Sequence, residues 1–163
     1  ELGVGEVGEI VFRSPSNMIE YFNRPEATEK TIVDGWVHSG DLGHRDEAGN
    51  FYISGRMNDM IIRGGANVYP AEVESVLTDH ESVAEAAVIG IPDERFGEIP
   101  VAFVIARSGA SVDGGALRDF CASRLAPYKV PAWIAGVDDL PRGPTGKTLK
   151  RVLRDQAAST PRT

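Results

Sequence analysis

The sequence predicts an α+β fold in two parts, a β-rich stretch over residues 1–57 and a small α+β layer over residues 58–163. Short β-prone runs punctuated by turn residues fill the first part. In the second, two apolar β runs lie between segments whose apolar residues recur at helical spacing. Charge is also unevenly divided: 5 basic and 10 acidic residues up to position 57, 6 and 13 over 58–140, and 6 and 1 from 141 onward.

In chain order, Glu9-Ile-Val-Phe-Arg13, Trp36-Val-His-Ser39, Gly43-His-Arg45 and Phe51-Tyr-Ile-Ser54 read as strands. Asp46-Glu-Ala-Gly-Asn50 supplies a hairpin turn, with Gly49 and Asn50 suited to positive φ. Pro25 followed by Glu26 and Glu29 opens a short helix, since proline suits a first helical position and carboxylates suit the positive end of the dipole. Four short strands and a helical turn make a poor core, so this part is expected to dock on something else.

Asp59-Met-Ile-Ile-Arg63, Ala86-Ala-Val-Ile-Gly-Ile91 and Val101-Ala-Phe-Val-Ile-Ala106 are the three strands of the second part. Pro70 opens a helix with Val73, Val76 and Leu77 on one face, and a second helix places Leu117, Phe120, Cys121 and Leu125 on one stripe. Pro127, Pro131, Pro141 and Pro144 punctuate the descent to a basic tail, where Leu149, Val152 and Leu153 mark a last short helix.

With 163 residues, 42% of them hydrophobic, and a net charge of −7, the chain is one ordinary domain or two small ones. Disorder, collagen and coiled coil are excluded. The acidic balance argues against bulk nucleic-acid binding. Cys121 is the single cysteine, so there is no internal disulfide and no zinc spacing, and a reducing, cytoplasmic setting is expected. No apolar run reaches the roughly 18 residues of a membrane span. Glu1, Glu6 and Glu9 occupy the place of a basic, then apolar, signal. An opening Glu-Leu-Gly-Val-Gly without methionine suggests a piece of something longer.

Gly3-Val-Gly-Glu-Val-Gly8 matches a dinucleotide fingerprint in letters only, because no strand precedes it and no helix follows. Gly143-Pro-Thr-Gly-Lys147-Thr148 is not a P-loop, because Pro141 stands where its first glycine is needed. What remains is a Gly/Pro loop holding out Lys147 beside Arg142, Lys150, Arg151 and Arg154. Such an ammonium suits phosphate or carboxylate oxygens, and it also suits an ordinary solvated surface. Asp41 at a strand end either bonds its own turn backbone or accepts hydrogen bonds from a sugar diol. Gly64-Gly65 either makes a turn or lets a thin ligand approach the backbone. His38, His44 and His80 lack metal-ligand spacing and read as surface or packing residues.

Taken together, Trp36-Val-His-Ser-Gly-Asp41, the run from Gly55-Arg-Met-Asn-Asp59 through Gly64-Gly65 to Glu74, and Pro141-Arg-Gly-Pro-Thr-Gly-Lys-Thr-Leu-Lys-Arg151 resemble three ordered motifs of the adenylate-forming superfamily. That superfamily contains acyl-CoA synthetases, luciferases and peptide-synthetase adenylation domains, and the chain looks most like a fatty-acyl or aryl-CoA ligase. The resemblance implies that residues 1–57 end a large N-terminal adenylation domain, and that 58–163 form its C-terminal lid domain around a three-stranded sheet. It further implies two half-reactions, carboxylate plus ATP to acyl-AMP and then transfer to CoA, with AMP and pyrophosphate released and Mg2+ required. Lys147 would be catalytic in adenylation, Asp41 and Arg56 would hold the nucleotide, Asn58 would be the hinge, and Gly64 and Gly65 would line the CoA path. The family's usual hinge residue is Asp or Lys, so Asn58 departs from it. The phosphate loop, adenine site and acyl pocket of the family would lie upstream of Glu1, on the N-terminal domain that is this chain's expected partner, and without them the chain alone should be inactive.

Other readings are a free-standing, noncatalytic binding module, the C-terminal part of a peptide-synthetase adenylation domain, and a basic tail that touches a membrane surface or nucleic acid. Retention of Asp41, Arg56 and Lys147 together opposes the first. Gly64-Gly65, and a chain that stops at Thr163 without a carrier domain, favour CoA over a carrier-bound acceptor. The tail lacks aromatics to stack bases, and a cationic cluster around a functional lysine explains it without a further partner.

Overall fold

The computed structural model describes residues 1–159. The chain separates into two compact units, Glu1–Asn58 and a second beginning at Asp59.

In the first unit, β1 (Gly8–Phe12) is followed by helix α1 (Pro25–Thr31), β2 (Ile32–Val33), β3 (Trp36–Arg45) and β4 (Phe51–Arg56). β3 is the spine of the sheet: β1 pairs with it along one side, β2 and β4 along the other, all antiparallel. It joins Trp36–Ser39 and Gly43–Arg45, expected as separate strands, because the intervening Ser-Gly-Asp is absorbed as a bulge. Val11 pairs with His38 but Glu9 with Leu42, so three β3 residues face Ile10 alone, and Gly40 takes a φ of +71° that a side chain would resist. β2 went unforeseen at two residues; its Asp34-Gly35 turn, with φ of 51° and 77°, is the usual signal of a two-residue hairpin. The Asp46–Asn50 turn forms with Gly49, but not Asn50, at positive φ (+85°), and the Asn50 N–H donates to Asp46 Oδ1 at 2.8 Å.

This unit has almost no interior. Val37 and Leu42 are its buried apolar side chains, while Ile19 is 90% and Phe22 86% exposed, and Phe51 and Ile53 also face outward. Burying a large apolar side chain contributes roughly 1.5–3 kcal/mol, so the sheet forgoes most of the stabilisation its own composition offers.

A 3-10 turn at Met57–Asp59 replaces the expected strand start at Asp59, and β5 is confined to Ile61–Arg63. Then come β6 (Ala66–Val68), α2 (Pro70–Thr78), β7 (Val83–Asp93), β8 (Gly97–Ala106), α3 (Gly114–Ala122), β9 (Ile134–Gly136) and α4 (Lys150–Ser159). The sheet order is β6-β5-β8-β7, with β9 added parallel to β8. The sheet therefore has five strands rather than three: β6 and β9 are three residues each, too short to show a period, and β9 depends on a distant parallel partner.

Two apolar layers sandwich the sheet. On one side α2 and α3 bury Val73, Leu77, Leu117 and Cys121 against Val83 and Val88 of β7. Asp113 caps α3 by accepting from the N–H groups of Gly115 and Ala116. On the other side Leu140 and, from α4, Leu153 and Ala157 cover Ala87, Ile89 and Phe103. Leu149, expected on the last helix, precedes it and stays 42% exposed. Its N–H donates to the Pro141 carbonyl instead.

Candidate functional site

Asp41 owes its setting to the bulge in β3. The Ser39 hydroxyl donates to the Ile10 carbonyl at 2.6 Å and accepts from the Asp41 N–H at 3.0 Å. Glu9 of β1 holds the rest of the segment, taking the Gly40 N–H on Oε1 at 3.0 Å and bonding His38 Nδ1 through Oε2 at 2.7 Å. Asp41 lies directly opposite Arg56 of β4, and Arg56 Nε approaches Asp41 Oδ1 to 3.0 Å. The carboxylate does not bond its own turn, which disposes of the plainer reading of an aspartate at a strand end. Among the described residues Arg56 is its only side-chain partner, leaving acceptor capacity on Asp41. Both side chains are open to solvent, at 59% for Arg56 and 33% for Asp41.

Lys147 sits at the far end of a closed hairpin in the second unit. Arg142 and Thr148 bridge as antiparallel partners, the Gly143 N–H donates to the Lys147 carbonyl at 2.8 Å, and the Leu149 N–H donates to the Pro141 carbonyl at 2.7 Å. Gly146 turns the tip with a φ of +77°, and its N–H donates to the Gly143 carbonyl at 2.9 Å. Lys147 is exposed, and among the described residues its ammonium has no ion-pair partner. Its basic neighbours differ. Arg142 pairs with Glu85, which raises the guanidinium pKa above its usual value first by hydrogen bonding and then by charge. Lys150 meets Glu74 at 2.7 Å, and Arg154 approaches Asp59 at 3.6 Å. Internal pairing thus accounts for much of the basic tail.

Gly64 and Gly65 form the two-residue turn between β5 and β6, with φ of +58° and +84°. The Gly64 N–H donates to the Phe96 carbonyl at 2.8 Å, and a Cβ there would lie 3.4 Å from the Phe96 ring. A Cβ on Gly65 would meet open space. Turn geometry alone therefore requires both glycines. Asn58 is exposed, lies in the 3-10 turn Met57–Asp59, and is the last residue of the first unit.

Asp41 and Arg56 are brought together, and so are Gly64 and Gly65; Lys147 stands on its own hairpin. Glu9 and Ser39, which shape the Asp41 segment, escaped the sequence reading because nothing local ties Glu9 to a residue 31 positions away. Glu74 and Glu85, which hold the flanks of the Lys147 hairpin, escaped it for the same reason. A groove of about 650 Å³ in the first unit, lined by Leu2, Ile10, Trp36, Arg45 and Phe51 among others, includes neither Asp41 nor Arg56. Among the described residues no group of three or more acidic, His or Cys side chains could hold a metal ion, so they supply no all-protein cage for one. No described helix is long and apolar enough to cross a membrane.

Residues 72–147, ending on Lys147, match the AMP-binding enzyme C-terminal domain. The chain is 47% identical over 96% of its length to the fatty acid–[acyl-carrier-protein] ligase ScoC of Streptomyces coeruleorubidus, of which it covers 30%. It is 50% identical over 97% of its length to the 2-succinylbenzoate–CoA ligase of Geobacillus kaustophilus, covering 32% of that protein. Among solved structures, o-succinylbenzoate CoA synthetase (MenE) from Bacillus subtilis, in complex with its acyl-adenylate intermediate, superposes with a TM-score of 0.87. That match is 42% identical and covers 99% of this chain and 32% of the other. Residues 72–147 are thus an AMP-binding enzyme C-terminal domain, and the relatives that the chain matches are ligases of acyl and aryl acids. It spans about 30% of the length of the curated relatives it matches.

Proposed function

We propose that the chain is the C-terminal part of an ATP-dependent acyl-CoA synthetase, in which residues 1–57 complete a large adenylation domain and 58–163 form its lid. The parent enzyme activates a carboxylic acid, in our reading a fatty acid, as acyl-AMP and passes the acyl group to CoA, releasing pyrophosphate and then AMP. The observation that carries this reading is Lys147: an exposed ammonium without an ion-pair partner among the described residues, on a hairpin whose neighbouring cations Arg142 and Lys150 are paired with Glu85 and Glu74. A fixed cation aimed at developing charge in a closed site lowers a barrier by several kcal/mol, roughly 3–4 where single donors have been removed.

In the first half-reaction Lys147 bridges the substrate carboxylate and the nucleotide as pyrophosphate departs. Asp41 accepts the ribose hydroxyls on its unshared oxygen, with Arg56 fixing the carboxylate and standing near the phosphate. In the second, the lid turns about Asn58, withdraws Lys147, and presents Gly64 and Gly65 to the pantetheine arm of CoA. The exposed faces of the first unit are covered by the remainder of the large domain, which also supplies the phosphate loop and acyl pocket. Magnesium would be held chiefly by that remainder, where it would supply charge neutralisation for the polyphosphate.

A second reading is supported by the Streptomyces relative, whose acceptor is an acyl-carrier protein. Both acceptors end in a phosphopantetheine thiol, so the β5–β6 tip suits either.

The test uses the full-length enzyme containing this chain. Acid-dependent exchange of pyrophosphate into ATP is measured over a panel of fatty and aryl acids, followed by thioester formation with CoA and with a carrier protein. Exchange with fatty acids and a CoA product sustain the reading. An enzyme that binds ATP but exchanges with no carboxylic acid would end it.

A further inference from the structure

The acids that hold the flanks of the Lys147 hairpin lie along one line of the fold. Among the described strands β7 pairs with β8 alone, so its other edge carries no strand. Free edges leave backbone donors in want of partners. The Val88 N–H points out of that edge and donates to Glu74 Oε1 of α2 at 2.8 Å. The same Glu74 oxygen accepts from Lys150 Nζ at 2.7 Å, with the side chains only 23% and 18% exposed. Lys150 opens α4, immediately beyond the hairpin's second stem. On the first stem, one branch of the Arg142 guanidinium holds Glu85 of β7, while the other donates to the carbonyl of Gly146, the residue before Lys147, at 3.2 Å.

Glu85 reaches that position through a backbone irregularity. Val83 and Val88 lie in the same apolar layer, under α2 and α3, although they are five positions apart and strand alternation would put them on opposite faces. The register shift between Val83 and Glu85 reconciles them by inserting Ala84 as an extra residue. Downstream of the bulge Glu85 shares the parity of Ala87 and Ile89, which lie beneath α4 and Leu140. The bulge thus turns a carboxylate out of the α2–α3 side toward the lysine hairpin.

We propose that Glu74 and Glu85 are positioning residues for Lys147. Each anchors one stem of the hairpin through a cation, Lys150 or Arg142, and the Arg142 fork passes the constraint to the peptide that carries Lys147. This rests on the adenylation role given to Lys147 above.

The full-length enzyme is assayed for acyl-AMP formation and, separately, for thioester formation from supplied acyl-AMP, with thermal midpoints measured alongside. Glu85→Gln should lower kcat for acyl-AMP formation by about tenfold while leaving KM for ATP and acid within about twofold, because geometry rather than binding is lost. Thioester formation should stay within about twofold, and Glu85→Asp, which keeps a charge for Arg142, should recover most of the loss. Glu74→Gln should behave as Glu85→Gln does, and the double variant Glu85→Gln/Arg142→Gln should be no slower than Arg142→Gln alone. Equal loss in both half-reactions, or failure of Glu85→Asp to recover more than Glu85→Gln, would overturn the proposal as a mere stability effect. If Lys147→Ala abolishes acyl-AMP formation while Glu85→Gln and Glu74→Gln leave it intact, the positioning role falls and the function stands. If Lys147→Ala itself leaves acyl-AMP formation intact, both fall.

Discussion

Asp41 and Arg56 face each other across β3 and β4, 3.0 Å apart, on the one stretch of the first sheet where a bulge breaks the pairing with β1. As an exposed ion pair it is worth about 0.2–1 kcal/mol, too little to explain as a device for holding the sheet. Its chemical value lies in a carboxylate fixed by one oxygen with acceptor capacity to spare. In the full-length enzyme, Asp41→Ala should weaken AMP binding by roughly 10–150-fold, the equivalent of losing hydrogen bonds to a charged acceptor. Calorimetric titration with AMP checks this, and an unchanged affinity would remove Asp41 from the nucleotide site.

Lys147→Ala in the same enzyme should reduce acyl-AMP formation by about 100-fold or more. Thioester formation from supplied acyl-AMP should be largely spared, because the proposed cycle withdraws the lysine for that step. Single-turnover measurement of each half-reaction separates the two, and equal losses in a folded variant would mean that Lys147 has been given the wrong role.

Gly65 offers a way to separate turn strain from ligand obstruction. Gly65→Ala and Gly65→Leu, neither branched at Cβ, carry a similar penalty for a side chain at a φ of +84°, about 1–2 kcal/mol each. Only leucine adds bulk at a tip where a Cβ meets open space. Thioester formation should therefore fall further in the leucine variant, with acyl-AMP formation unaffected in both. Rates that match between the two variants would take the tip off the pantetheine path.

Cys121 of α3 is fully buried, and burial raises its thiol pKa above the ordinary 9.0, partly offset by Arg124. A raised folded pKa means that the folded state keeps a proton which the unfolded state releases. The resulting stability is fully present below pH 9.0 and is lost as pH rises through the folded value. Denaturant melts of this chain should show a midpoint that declines above pH 9, with Cys121→Ala showing a flatter decline. A thiol reagent should react with Cys121 only as fast as the second unit opens.

Leu153 is 1% exposed where α4 lies on the sheet. Leu153→Ala should cost about 2–5 kcal/mol by combining lost burial with a cavity. It should also loosen the adjacent Lys147 hairpin, since Lys150 and Leu153 hold the same helix. A thermal melt reads the first effect, and amide exchange at Gly143 and Gly146 reads the second.

Much of the fold was legible because its longer elements carry clear periods. Val73, Val76 and Leu77 declared α2, and the apolar runs of β7 and β8 declared the central hairpin of the second sheet. β2, β6 and β9 were not, because two or three residues hold no period and their existence is decided by partners elsewhere in the chain. β3 was read as two strands because Ser39-Gly-Asp41 looks like a turn locally, and only pairing with β1 makes it a bulge. The site shows the same division. Asp41, Arg56, Lys147 and the paired glycines stand in recognisable motifs, whereas Glu9, Glu74 and Glu85 act across 31, 76 and 57 positions and carry no local signature.

The scarcity of interior in the first unit bears on calorimetry. The heat-capacity increment of unfolding scales with apolar surface newly wetted, about 12–15 cal/mol/K per residue in ordinary domains. Residues 1–58 of the 163 have little such surface left to wet, since apart from Val37 and Leu42 their large apolar side chains are already partly or largely hydrated. The melting of this chain should therefore show a heat-capacity step well short of its length, nearly all of it contributed by the unit beginning at Asp59. Its stability curve should be correspondingly shallow, with cold losing much of its power to unfold it.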